Sequence, residues 1–302
     1  MLILLGYFGD LKWFGFIPCS MIMYCVNIFI NKNIIMSTFK TDEKKQTKET
    51  FSSLMLSMNY AYDVRTVFDD FLTLTIAAFS QDFTTGKSYM EDDYLRVIGK
   101  YKKPTETDLF PKLLGALILE MEQRMYSNEG FDVLGDFFEI HCATDRKAQF
   151  FTPWPICQFM AKINGDENCV NEPVDVKKII DPACGSGRML MAGSRIFGSK
   201  HEYFGIDIDA VCIKMAAVNL FLSGIKHGEV MQANALSPTD FHVAYKVSFF
   251  PFGIFKITEK EQSRLWHLHK LSFNTQFKNL EEKSLINAEK FPKAEPEQLR
   301  FF

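Results

Sequence analysis

The stretch Asp181–Gly187 reads DPACGSG and follows an apolar run, Val174–Ile180, that is typical of a buried β-strand. Gly185 and Gly187 let the backbone turn tightly and approach a ligand without a Cβ atom in the way. A helix that begins at Arg188 would point its first amide groups into the same crevice. The sequence therefore predicts a strand, a tight turn and a helix, with a ligand site at the turn.

Strands and helices alternate after residue 164, which predicts a parallel sheet joined by crossover helices. The helix after Asp209 is the clearest, because Asp209 is a suitable N-cap and Gly224 a suitable stop. Right-handed crossovers would place the first three strands side by side, with the loops after them at one edge. The predicted fold class is α/β, a Rossmann-like sheet preceded by a helical domain. The predicted strands are Val174–Ile180, Tyr203–Ile208, Glu229–Ala233 and Val243–Phe250.

A second acidic residue, Asp207, lies 20 residues after Gly187, at the end of the second predicted strand. In Rossmann-type folds an acidic residue at this point accepts hydrogen bonds from ribose hydroxyls. The third glycine of a dinucleotide fingerprint would fall at Leu190, so the close helix packing over a pyrophosphate is missing. The pattern favours S-adenosylmethionine, a nucleoside with an amino-acid tail, over NAD.

Four segments resemble the N6-adenine DNA methyltransferases, in particular the modification subunit of type I restriction-modification systems. They are Gln149–Pro153, Asp181–Gly187, Gly205–Asp209 and Ala233–Leu236, within a likeness that covers about residues 130–236. The resemblance implies that the first segment contacts the methionine end of S-adenosylmethionine. It implies cofactor binding by Phe151, Thr152, Pro153, Asp181, Ala183, Gly185, Gly187, Asp207, Ile208 and Asn234.

The resemblance also implies a reaction, the direct transfer of a methyl group to N6 of an adenine flipped out of double-stranded DNA. A partner subunit that supplies target recognition and a cytoplasmic location are expected with it. The net charge of −3 gives no overall basic field, so phosphate binding would depend on a local patch or on that partner. The spacing of the seven cysteines and six histidines favours neither a metal site nor a disulfide framework.

The chain departs from the family where the chemistry should lie. The family carries Asn/Asp-Pro-Pro-Tyr/Phe after its fourth strand, and the corresponding residues here are Phe249-Phe250-Pro251-Phe252. Pro251 and Phe252 match the end of that catalytic motif, and the Phe252 ring would stack on the base. Phe249 cannot accept a hydrogen bond from an exocyclic amine. Two hypotheses follow: an adenine-specific methyltransferase, or a catalytically weak or inactive cofactor-binding subunit of such a complex.

The composition also predicts the organisation of the chain. Phe14–Ile30 is a run of 17 uncharged, mostly apolar residues, close to the lower limit for a membrane span. We favour the alternative that synthesis begins at Met36, and we expect no membrane anchor. The four predicted parts are a leader (1–50), a helical domain (51–145), an S-adenosylmethionine-binding methyltransferase domain (146–256) and a polar helical extension (257–302).

Overall fold

The computed structural model describes residues 49–81, 88–127, 130–143, 150–164, 176–198, 200–237, 239–249 and 252–273. The apolar run Phe14–Ile30, the alternative start at Met36, residues 274–302 and Pro251 lie outside these ranges. In the described ranges, no helix combines the length and the apolar character that a bilayer crossing requires.

Helices dominate the first part of the described chain. Three of them begin at side-chain caps: Thr50 accepts a hydrogen bond from the Ser53 amide, Asp63 from the Thr66 amide and Asp132 from the Gly135 amide. The described residues of this region form helices, as the periodicity predicts, whereas a separate helical domain and its boundary at residue 145 stay predictions. The helices are α1 (Phe51–Leu56), α2 (Val64–Phe79), α3 (Glu91–Ile98), α4 (Pro104–Thr107), α5 (Leu109–Ser127) and α6 (Val133–His141).

Aromatic side chains form the centre of this helical region. The Phe137 ring lies between Phe51 and Phe68, with ring centroids 5.5 and 5.3 Å away. Phe138, on the same helix as Phe137, also packs on Phe68. These residues belong to one hydrophobic cluster that continues through α2 into the helices and strands of the second half. Phe137 and Phe138 are therefore core residues of this region.

The second half is a mixed α/β structure with a five-stranded sheet in the described residues. The strand order is β1-β2-β3-β4-β5, with β1 parallel to β2 and β2 parallel to β3. The prediction that the first three strands lie side by side is confirmed. The elements are α7 (Trp154–Asn164), β1 (Lys178–Asp181), α8 (Arg188–Phe197), β2 (Glu202–Asp207), α9 (Ala210–Leu222), β3 (His227–Gln232), β4 (Val243–Phe249), β5 (Phe252–Ile257) and a final helix, α10 (residues 264–273).

The fourth strand corrects the expected parallel pattern. β4 runs antiparallel to β3, and β5, which the sequence analysis did not predict, runs antiparallel to β4. Only residues 233–242 separate β3 from β4. A parallel return would need a crossover of about a dozen residues or more, usually a helix, so this short connection allows only the antiparallel arrangement.

The two faces of the sheet are covered by different helices. α8 and α9 lie on the face that carries Tyr203, Val230 and Val247, and these residues join the large core cluster. α10 lies on the other face, where its Leu265 and Trp266 pack in a second cluster. That second cluster includes residues of β2, β3, β4 and β5 but, within the described chain, none of β1.

A buried ionic cluster joins α6 to the glycine-rich loop and to α9. Asp132, which is 2% exposed, caps α6 by accepting a hydrogen bond of 2.9 Å from the Gly135 amide. Its Oδ2 atom accepts from Arg188 Nε at 2.9 Å and from the Ser186 hydroxyl. Its Oδ1 atom also accepts from Asn219 Nδ2 at 2.7 Å. We call these five residues the Asp132 cluster.

Arg188 extends the cluster toward the segment before α7. Its Nη2 donates to Asp136 at 2.9 Å and to Glu139 at 3.4 Å, and its Nη1 donates to the Thr152 carbonyl at 3.3 Å. Burial by itself would lower the pKa of the guanidinium, but the charge of Asp132 and the neighbouring carboxylates raise it overall. The cation is therefore held in its charged form between three carboxylates.

We expect Asp132→Ala to lower the free energy of unfolding by about 3–5 kcal/mol, because it leaves the buried Arg188 charge without its principal partner. Urea unfolding followed by circular dichroism measures the loss. The control is Asp93→Ala, which removes ion pairs of α3 with Arg96 and Lys256 near the surface and should cost about 0–1 kcal/mol. Equal losses in the two variants would contradict a central role for Asp132.

Candidate functional site

The loop between β1 and α8 forms the predicted tight turn. Gly185 and Gly187 both have positive φ angles, 52° and 84°, in the left-handed region that favours glycine. A Cβ atom on Gly185 would lie 2.6 Å from the Phe151 ring, and one on Gly187 would lie 2.9 Å from a Leu220 methyl group. The requirement for glycine is thus confirmed, and its immediate cause is close packing against the protein itself.

Asp207 ends β2 and is hydrogen-bonded to the glycine-rich loop. Its Oδ2 accepts from the Gly185 amide at 2.9 Å, and its Oδ1 accepts from the Asp209 amide at 2.9 Å. A carboxylate offers about four lone-pair sites, so these two bonds fix its orientation and leave acceptor capacity for hydroxyl groups. The arrangement suits a ligand that presents two neighbouring hydroxyls at the end of β2.

Asp181 ends β1, one strand away from Asp207. It is half-buried, and its Oδ1 accepts from the Ala183 amide at 3.0 Å. Burial raises the pKa of the Asp181 carboxyl, the Ala183 hydrogen bond opposes this, and the charge of Asp207 raises it further. A positively charged ligand group beside Asp181 would stabilise its ionised form, whereas an anionic group would do the opposite.

The loop after β3 brings a third polar residue to the same edge of the sheet. Asn234 is exposed, and its Oδ1 accepts from the Leu236 amide at 2.9 Å, which closes a local turn. This is the turn-forming role that such a residue commonly has. Ile208, next to Asp207, is 68% exposed at this edge. Carboxylates, an amide and an uncovered apolar side chain therefore meet at the carboxyl ends of β1, β2 and β3.

The segment before α7 lies over the glycine-rich loop. The Phe151 amide donates to Glu139 at 2.6 Å, and the Phe151 ring, which covers Gly185, lies 5.6 Å from the Arg188 guanidinium. Thr152 and Pro153 follow as exposed residues immediately before α7. Arg188 of the Asp132 cluster, which donates to the Thr152 carbonyl, and Glu139 of α6, which accepts from the Phe151 amide, thus fix this segment.

A cleft of about 1170 Å³ begins at this loop and runs along the outer side of β1. It is larger than the usual range for a small-molecule pocket, roughly 300–1,000 Å³. Five predicted cofactor residues do not line it: Pro153, Gly187, Asp207, Ile208 and Asn234. The hydrogen bond from the Gly185 amide to Asp207 connects them to those that do. The predicted cofactor residues that line the cleft are Phe151, Thr152, Asp181, Ala183 and Gly185.

The residues predicted for catalysis lie elsewhere. Because β4 is antiparallel to β3, Ser248 near the end of β4 pairs with His227 at the start of β3. The end of β4 therefore lies at the amino ends of the parallel strands, opposite the end that carries Asp207. The Phe252 ring packs there on Phe221, with ring centroids 4.8 Å apart. The structure does not bring Phe252 to the predicted cofactor residues, and its stacking on a flipped base stays a prediction. Pro251 lies outside the described residues.

The residues that support the loop were not among those predicted from the sequence. Asp132, Asp136 and Glu139 are spaced i, i+4 and i+7 along an otherwise apolar helix, so they share one face. Arg188 directly follows the glycine pair. An acidic stripe on an apolar helix together with an arginine after the turn is the signal that could have identified the Asp132 cluster.

Cysteine and metal chemistry find no support in the described residues. Cys184 is buried inside the loop, and burial raises the pKa of its thiol well above the usual value, which suits a packed side chain more than a nucleophile. Among the described residues, no group of three or more His, Cys, Asp or Glu side chains is placed to hold a metal ion.

Comparison with known proteins agrees with the sequence resemblance. Two curated relatives are methylase subunits of type I restriction enzymes: MjaVIII of Methanocaldococcus jannaschii, 32% identical over 107 residues, and MpnII of Mycoplasma pneumoniae, 23% identical over 137 residues. The matches cover 33% and 41% of this chain but only 17% and 24% of the relatives, so the chain spans about a fifth of their length.

A solved structure with a detectable likeness is the type I restriction-modification system methyltransferase subunit from Streptococcus thermophilus. It is 18% identical, with a TM-score of 0.29, over 68% of this chain and 51% of that one.

The family described as N-6 DNA Methylase matches residues 130–294. This match covers just over half of the 302 residues and includes the glycine-rich loop, Asp207 and the loop after β3. The chain therefore belongs to the N-6 DNA methylase family.

Proposed function

We propose that this chain binds S-adenosylmethionine at the carboxyl ends of β1, β2 and β3 and serves adenine N6 methylation of double-stranded DNA. The observation that carries the proposal is the orientation of Asp207 by the Gly185 and Asp209 amides. This places a carboxylate with spare acceptor capacity where ribose hydroxyls bind in Rossmann-type folds. The cofactor would supply an activated methyl group, and this chain would supply its binding and orientation.

The electrostatics of the edge support this ligand over a dinucleotide. Asp181 and Asp207 lie at the ends of neighbouring strands, and each raises the cost of an additional negative charge nearby. S-adenosylmethionine carries a sulfonium and an ammonium group, which both carboxylates attract, whereas NAD carries an anionic pyrophosphate. In our proposal Asp207 holds the ribose, Asp181 faces the cationic amino-acid end, and the exposed Ile208 contacts the adenine.

The remaining predicted contacts complete the proposed site. The exposed Thr152 and Pro153, with the Phe151 ring beside Gly185, would receive the methionine end of the cofactor. Asn234 would lie near the adenine amino group, with its Oδ1 already closing a turn. In this scheme DNA and a target-recognition subunit are partners of the chain, and the assembly acts in the cytoplasm.

A second candidate function is a cofactor-binding subunit that transfers no methyl group by itself. The position of Phe252, at the sheet edge opposite Asp207, favours this candidate. A tritiated-methyl assay on unmethylated DNA, run alongside calorimetry with S-adenosylmethionine, distinguishes the two. Cofactor binding without incorporation of tritium supports the subunit, and incorporation by the purified chain supports the complete enzyme.

We expect Asp207→Asn to weaken S-adenosylmethionine binding by about tenfold or more, the effect of weakening a charged hydrogen-bond acceptor. Isothermal titration calorimetry measures the dissociation constant. The matched control is Asp92→Asn, which removes an exposed carboxylate on α3 and should leave the affinity unchanged. An unchanged affinity for Asp207→Asn would contradict the ribose assignment, and binding of NAD in place of S-adenosylmethionine would contradict the proposed cofactor.

We expect Phe252→Leu to leave the affinity for S-adenosylmethionine within about twofold of the unchanged chain, because Phe252 packs on Phe221 far from the glycine-rich loop. The same titration measures this, and thermal unfolding should show a loss of about 1 kcal/mol from the smaller side chain in the core. If the variant binds the cofactor tenfold more weakly while its stability is unchanged, Phe252 lies nearer the site than the sheet topology allows.

A further inference from the structure

The outer edge of β1 is exposed in a way that is unusual for a parallel sheet. Within the described ranges, β1 pairs only with β2, and alternate residues of its four are exposed. Parallel strands are normally buried on both faces, and an unpaired edge presents a row of amide and carbonyl groups to any chain that can add a strand. The edge of β1 therefore has the geometry of a strand-docking site.

Apolar side chains surround this edge. Ile180 is 44% exposed. It pairs with Phe204 and therefore lies on the same sheet face as α10. In the described chain, α10 packs on β2 to β5 but not on β1, so it leaves Ile180 uncovered. Val176, just before β1, adds exposed apolar surface on the face of Ile180, and Met160 of α7 and Ile196 of α8 add it on the opposite face. Exposed apolar side chains on both sides of a strand edge are a feature of interaction sites.

The charges along the cleft indicate what kind of segment would bind. Among the described residues that line the cleft, Asp181 is the only acidic one. It lies at the carboxyl end of β1. The rest of the rim is basic. The exposed basic lining residues are Lys162, Lys177, Lys178 and Lys200. Arg188 and His201 also line the cleft but are buried.

We propose that the outer edge of β1 docks an extended segment of a partner polypeptide, which adds a strand to the sheet. The segment carries apolar side chains that cover Ile180 and Val176 on one sheet face and acidic side chains that approach Lys177 on the other, while the long Lys178 side chain adds to the positive charge of the edge. Lysines alone would also attract DNA phosphates, but an unpaired strand edge with exposed isoleucine and valine suits a polypeptide. The site lies beside the proposed cofactor crevice and does not depend on cofactor binding.

The probe is a fluorescent seven-residue peptide of alternating glutamate and valine, titrated into the full chain and followed by anisotropy. We expect it to bind at least about tenfold more tightly than the peptide with lysine in place of glutamate, because of the basic rim. N-methylation of every backbone amide should remove binding, because the donors for strand pairing are lost. Hydrogen exchange should slow at residues 178–181 when the acidic peptide is bound.

Variants of the chain test the apolar contacts and the ionic contacts of the proposed docking site separately. Ile180→Asp should weaken the acidic peptide by about tenfold or more, while Leu95→Asp, at a residue of α3 that is 57% exposed, should not change binding. The double variant Lys177→Glu, Lys178→Glu should reverse the preference toward the basic peptide, which a general loss of folding would not do. Thermal unfolding of each variant checks that the fold is retained.

Three results would overturn the proposal. One is the absence of acidic-peptide binding up to about 1 mM, or binding that neither N-methylation nor Ile180→Asp reduces. Another is slow exchange of the outward-facing amides of residues 178–181 in the free full chain, since a segment of the chain itself would then cover the edge. The third is protection of this edge by a DNA duplex in place of the peptide. None of these results bears on S-adenosylmethionine binding, which calorimetry measures separately.

Discussion

The pairing of Asp132 with Arg188 inside the protein is the interaction on which the proposed site depends. One carboxylate caps α6, accepts the Arg188 guanidinium and holds Ser186 of the glycine-rich loop and Asn219 of α9. Removing two opposite charges from water is costly, so this pair is retained only with its additional hydrogen bonds in place. The helices, the loop and the segment around Phe151 therefore keep one relative arrangement.

The local part of the site could be predicted from the sequence. Glycine at two positive-φ positions, an acidic residue at the end of each of two strands, and the order of β1, β2 and β3 all follow from short-range patterns. What could not be predicted depends on long-range pairing. Arg188 meets Asp132 across 56 residues of chain, and no short pattern specifies that contact.

The fourth strand illustrates the same limit. An apolar run such as Val243–Phe249 fits a parallel or an antiparallel strand equally well by composition. Its direction follows from the short connection after β3, a signal that was present in the sequence but outweighed by the expected alternation. Because the direction is reversed, Phe252 packs at the end of the sheet opposite Asp207, and its match to a catalytic motif does not bring it near the predicted cofactor residues.

The central claim is that the carboxyl ends of β1, β2 and β3 hold a nucleoside with a cationic amino-acid tail. A crystal structure of the chain with S-adenosylmethionine tests it most directly. We expect the ribose hydroxyls about 3 Å from the Asp207 carboxylate, with the amino-acid end toward Asp181 and Thr152. Density for the ligand at another position, or a ribose without contact to Asp207, would contradict the account.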